Sequence, residues 1–267
     1  MKRRGSPAPL TVDRQNTLSR LYLQPTAYSL RMRYHITEDS RGDWHRNIVS
    51  LRKSADLFAD LVDNAAHTTI LAHHEMATKL ATDPHPIISR PFEDADVYDP
   101  IAQAIAWPFE HPAATRFSSG HYGVWYGAGS IETSVHETVH RFRKNTLASE
   151  IARTSTKAIV QERRVHLVHC NAALVDVRSI VKQEKRLIDP DDYTYCQSFG
   201  AELRAAFQPG VITKSVRHRA GDVVAVFVRE ALSNPRDVCY LTYVLDPQSG
   251  RVKVERTPGR AWLVLEP

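Results

Sequence analysis

The 267-residue chain predicts an α+β fold. Strand-like and helix-like stretches follow one another without the regular β-α-β alternation of a doubly wound sheet. No G-x-G-x-x-G follows a strand-like run and no P-loop is present, so a nucleotide bound here is not held in either of those manners. The composition, 42% hydrophobic and 24% charged, is that of a globular chain, long enough for one large domain or for a domain with an extension.

Taken in order, residues 1–43 show no clean period and suit an arm or short strands. Met1-Lys2-Arg3-Arg4 is not followed by an apolar run, so no secretory signal is expected and the location expected is cytoplasmic. Ile48, Leu51, Ala55, Phe58 and Val62 keep helical spacing and predict a helix over 44–63. A second helix is predicted over 67–82, closed by Asp83-Pro84. Residues 1–84 thus read as a partly helical extension, and 85–267 as the main domain. Arg90 precedes Pro91 and is held extended. A short helix is expected over 99–107, ending before Pro108. A loop from His111 then delivers Arg116.

Tyr122, Val124 and Tyr126 alternate along a short aromatic strand, broken by Gly127 and Gly129. Ser130 is placed to cap the next helix. On that helix Ile131, Val135, Val139 and Phe142 form one stripe, and Glu137 falls on the other side. Residues 144–164 fit no single period. A strand is expected over 165–177, and an amphipathic helix over 193–207. Strands are then expected over 211–216 and 222–229, and a hairpin over 238–254.

Three cysteines, Cys170, Cys196 and Cys239, stand far apart with no C-x-x-C pair, so they read as reduced, buried thiols. The net charge of +5 comes from scattered basic clusters. No zinc-finger spacing, heptad or RNA-binding aromatic motif accompanies them, so direct contact with nucleic acid is not expected. No run of about 20 apolar residues is present, and no membrane span is expected.

Glu137 admits three readings: a solvated residue paired with Arg141, the acid of His136-Glu137-Thr138-Val139-His140 in a zinc peptidase, or a catalytic carboxylate beside Tyr126. The zinc reading needs a third ligand. The longer H-E-x-x-H-x-x-G-x-x-H pattern fails, because Arg143 stands where its glycine belongs.

Residues Arg116-Phe117-Ser118-Ser119-Gly120, Tyr122 to Ala128, and Ser130 to Thr138 together resemble the RES domain family. Asp189 to Tyr193, Gln197, Gly210 to Arg217, Gly221 and Val224 to Phe227 extend the resemblance, and Ser89 to Glu93 resembles the family's early arginine segment. It spans about 87–243. The resemblance implies an ADP-ribosyltransferase-like split β-sheet core with inserted helices. It implies a toxin-type enzyme that cleaves the nicotinamide–ribose bond of NAD+, by glycohydrolysis, phosphorolysis or ADP-ribosyl transfer, with NAD+ as substrate and no metal. Glu137 would stabilise the cationic sugar, Tyr126 would stack on nicotinamide, Arg90 and Arg116 would bind the pyrophosphate, and Ser215 would hydrogen-bond the substrate. The implied partner is a cognate antitoxin of the Xre-like, helix-turn-helix kind, with homo-oligomerisation also open. The alternatives are the zinc metallopeptidase and a non-catalytic nucleotide-binding protein.

Overall fold

Buried and half-buried residues alternate along most of Ile159–Cys170, and this strand is the spine of one large sheet. In this computed structural model the structure describes residues 34–50 and 100–267. The elements are β1 (His35–Thr37), β2 (Gly42–Val49), α1 (Pro100–Glu110), β3 (Ala114–Thr115), β4 (Ser118–Ser119), β5 (Trp125–Ala128) and α2 (Ile131–Ala148). There follow α3 (Glu150–Thr154), β6 (Ile159–Cys170), β7 (Leu174–Asp176), α4 (Thr194–Ala205), β8 (Gly210–Lys214), β9 (Asp222–Val226), β10 (Leu232–Leu245), β11 (Val252–Thr257) and β12 (Arg260–Leu265). Ten strands form the sheet in the order β1-β7-β8-β9-β5-β2-β6-β10-β11-β12, and β3 pairs with β4 as a separate hairpin. The β7–β8 pair is parallel. The fold is therefore mixed and dominated by its sheet, with few helices among the described residues.

Its two sides are unequally joined. Strand β2 pairs with β6 from Gly42↔Cys170 to Val49↔Arg163, whereas β2 meets β5 through one residue pair, His45↔Ala128. The β2–β5 seam is therefore sparsely bridged, although Trp44, His45 and Arg46 still lie close to Gly127, Ala128 and Tyr126.

Apolar side chains fill three clusters. Val135, Val139 and Phe142 of α2 pack on Val165, Leu241, Tyr243 and Val254. Phe199 and Leu203 of α4 pack on Val175, Val211 and Ala225. Ile105 of α1 packs with Trp44, Trp125, Val168 and Val224. Full burial of each such side chain stabilises the fold by about 1.5–3 kcal/mol. A polar network ties the loop before β2 to β7 and β9: Arg178 donates to Asp39, Asp176 and Asp222.

Several expectations change. Residues 44–49 are strand, not the start of a helix, because their backbone is paired along β6. The polar run His45-Arg46-Asn47 hides this, since Asn47 is buried only by virtue of its bonds to Ser134, Tyr243 and Arg163. Strands β1 and β2 belong to the stretch read above as the N-terminal extension, and both lie in the main sheet. The helix over 67–82 and the rest of the 44–63 stretch fall outside the described residues.

Helix α1 runs through Pro108 instead of stopping before it. Proline removes the N–H that would reach the carbonyl four residues back. That carbonyl, Ala104, accepts the Trp125 indole N–H at 2.8 Å. Gly127 lies inside β5 rather than ending it: a Cβ there would stand 2.5 Å from the Trp125 ring. The stretch 144–164 divides into the end of α2, all of α3 and the start of β6. The strand expected over 165–177 is two strands, broken after Cys170. Strand β10 begins before 238, with a register shift between Ser233 and Arg236 where Pro235 follows the left-handed Asn234. Strand β12 was not foreseen.

Candidate active site

Helix α2 delivers the carboxylate. The Ser130 hydroxyl accepts the Thr133 N–H at 3.0 Å, capping the helix as its sequence predicts. Val135 and Val139 point into the core. Glu137, off that stripe and half-buried, instead meets Ser215, whose hydroxyl donates to Glu137 Oε1 at 2.6 Å.

Ser215 is held from behind. It follows β8 and opens a tight turn. Its Oγ accepts the N–H of His218 at 2.9 Å and that of Arg217 at 3.2 Å, and its own N–H donates to the Gly221 carbonyl at 2.9 Å. His218 Nδ1 lies 2.9 Å from the Thr133 hydroxyl on α2. At Gly221 a Cβ would stand 2.3 Å from that hydroxyl, so only glycine lets the turn close on the helix. Two residues far apart in sequence are thus brought into contact by a capped helix and a serine turn.

Tyr126 is fixed at the hydroxyl end. It accepts the Phe117 N–H at 3.0 Å and donates to Thr115 Oγ1 at 3.0 Å. Burial pushes its pKa up to about 12, against the pull of Arg116 and Arg141, so it stays protonated near neutrality. Part of the residue remains accessible.

Arg116 sits at the tip of the β3–β4 hairpin. Its Nη1 donates to the Asp189 carbonyl at 2.7 Å, and its guanidinium lies 4.4 Å from the Tyr193 ring centre. Arg217 Nη2 donates to the neighbouring Pro190 carbonyl at 2.6 Å. Two arginines therefore gather the Asp189-Pro190-Asp191 turn against the serine turn. Arg90 lies outside the described residues.

Arg46, on β2, is a buried cation beside these groups that the sequence reading did not single out. Its Nη1 donates to the Tyr126 carbonyl at 3.2 Å, across the sparsely bridged β2–β5 seam. Among the described residues its buried Nε–H has no hydrogen-bond partner, and no carboxylate forms an ion pair with it. Burial, then the charges of Arg141 and Arg163, bring its pKa down to about 10, so it remains a cation near pH 7. The polar run His45-Arg46-Asn47 carried no signal that would have singled it out.

The other readings of Glu137 fare differently. No ion pair joins it to Arg141. His140 is half-buried near Arg217, Lys144 and Asp191, and burial followed by those cations lowers its pKa. Among the described residues, no His, Cys, Asp or Glu joins His136 and His140 as a third ligand.

The RES domain model matches residues 96–246. The chain belongs to the RES domain family. The match begins after Arg90 and after β2, so the Ser89–Glu93 piece lies outside it, whereas Arg116, Tyr126, Glu137 and Ser215 lie inside. Among solved structures, this RES protein is similar to a chain of the M. tuberculosis MbcT–MbcA toxin–antitoxin complex at 16% identity, over 50% of this chain and 72% of that one, with a TM-score of 0.34. No curated protein matches. No helix among the described residues is long and apolar enough to cross a membrane.

Proposed function

We propose that this RES protein cleaves the nicotinamide–ribose bond of NAD+ and works as the toxin of a toxin–antitoxin pair, held inactive by a cognate antitoxin of the Xre-like kind. The observation that carries the reading is the 2.6 Å hydrogen bond from Ser215 to Glu137. It turns a helical carboxylate into an oriented one.

The reaction releases neutral nicotinamide from a cationic ring and leaves positive charge on the ribose carbon, as in glycoside cleavage. A fixed carboxylate at that carbon lowers the barrier, because its orientation costs nothing further as charge develops. Ser215 occupies Oε1, and Oε2 faces the sugar. Tyr126, protonated and clamped at its hydroxyl, offers its ring to nicotinamide. Arg46 supplies the cation for the pyrophosphate, in a place where burial leaves it short of an anion. Arg116 acts on the same ligand through the turn it gathers, and Arg90 remains a second clamp proposed from the family pattern alone. The sparse pairing of β2 with β5 supports a split-sheet core of the ADP-ribosyltransferase kind, with the dinucleotide bound beside that seam.

The test is incubation of the purified protein with NAD+, with and without phosphate, followed by identification of products. Nicotinamide is expected in both, and the ribose-containing product distinguishes water, phosphate or a protein side chain as acceptor. Glu137→Gln should cut nicotinamide release at least about 100-fold. Undiminished release by that variant removes the proposal.

A further inference from the structure

One cluster of ligating side chains takes no part in the chemistry above. Glu132 and His136 stand one turn apart on α2 and share a face. His218, from the serine turn, stacks on His136 with ring centres 4.7 Å apart and planes inclined by 6°. His218 Nε2 lies 4.0 Å from Glu132 Oε1. One donor atom from each of the three residues falls within 4.8 Å of the others.

We propose that Glu132, His136 and His218 bind a divalent transition-metal ion of the zinc class, which staples the serine turn to α2. Two imidazoles and one carboxylate are a donor set that suits this class. Tetrahedral bonds of about 2.0–2.2 Å put ligand atoms roughly 3.4 Å apart, so binding turns the stacked His136 and His218 rings about their side-chain torsions until both in-plane lone pairs meet at the ion. A second layer of contacts is already built. The Thr133 hydroxyl, 1% exposed as a residue, meets His218 Nδ1 at 2.9 Å and the capping Ser130 hydroxyl at 2.8 Å. That contact orients the ring and leaves Nε2 to the ion, as outer partners of metal-bound histidines do. His140 has no place in this set. The site is therefore distinct from the H-E-x-x-H pairing, and it meets the catalytic group only through the turn that His218 shares with Ser215.

The experiment uses full-length, tag-free protein stripped with chelator and titrated calorimetrically with Zn2+. The wild type should bind one ion per chain. His136→Gln and His218→Gln should each weaken binding at least about 10-fold, and His140→Gln should titrate as the wild type does. Zn2+ should raise the melting temperature of the wild type but not of His218→Gln. Absence of saturable binding by the wild type overturns the proposal, as does loss of binding in His140→Gln equal to that in His136→Gln. Should a histidine variant fail to fold, the Co2+ spectrum of the wild type decides. Intense visible bands of a tetrahedral site, saturating at one ion, support the proposal, and the weak bands of an octahedral ion overturn it.

Discussion

Arg46 is a buried cation that donates to a backbone carbonyl and feels two other guanidinium groups. Such a group destabilises the empty protein and stabilises a complex with an anion. Two measurements on Arg46→Gln follow from this. The KM for NAD+ should rise at least about 10-fold, since a charge-assisted bidentate contact contributes about 1.5–3 kcal/mol. The melting temperature should not fall, because a buried charge short of a partner has been removed. An unchanged KM would exclude Arg46 as the pyrophosphate clamp. At this scale Glu137, Tyr126 and Ser215 were singled out from the sequence because each stands in a run of motif residues. Arg46 was not, since nothing in His45-Arg46-Asn47 marks which of three polar side chains is buried.

Helix α2 was read well from its own sequence. The Ser130 cap and the Val135, Val139 and Phe142 stripe are local properties, and the structure keeps both. The serine turn is the opposite case. Its shape depends on Gly221 passing close to Thr133, a residue more than eighty positions earlier. Gly221→Ala should push the turn off α2 while leaving the helix and the core packing in place. The expected result is loss of NAD+ cleavage by about 10-fold or more with a near-native circular dichroism spectrum. Full activity in that variant would show that the position of Ser215 does not depend on this close approach. The strands of the sheet were legible in proportion to their apolar alternation. Strands β8 and β9 were found, whereas β2 and the first half of β6 were not. Gln161, Arg163 and Asn47 are buried there through mutual hydrogen bonds, which periodicity does not register.

The sheet as a whole buries histidines as well as apolar groups. His166 on β6 is fully enclosed, and burial lowers its pKa despite Asp237 at 2.9 Å. His45 on β2 is lowered for the same first reason. A histidine with a depressed folded pKa binds its proton more readily in the unfolded chain. Its contribution is therefore intact above the unfolded pKa of about 6.5 and is lost as pH falls below it. Urea midpoints should be level from pH 8 to pH 7 and decline from about pH 6.5 downward. His166→Asn, if it folds, should flatten that decline, and an unaltered pH profile in that variant would count against the assignment.

From its own residues the chain determined the α+β class, the capped helix bearing Glu137, and the motif run that places it among RES proteins. These are short-range features, written in spacing, capping and side-chain type within a few turns. Only the tertiary structure decided that Ser215 meets Glu137, that β2 joins β5 through a single residue pair beside Arg46, and that His218 lies on His136. Each of those contacts joins segments separated by about eighty residues, and its geometry follows from how the sheet orders its strands, which no local pattern encodes.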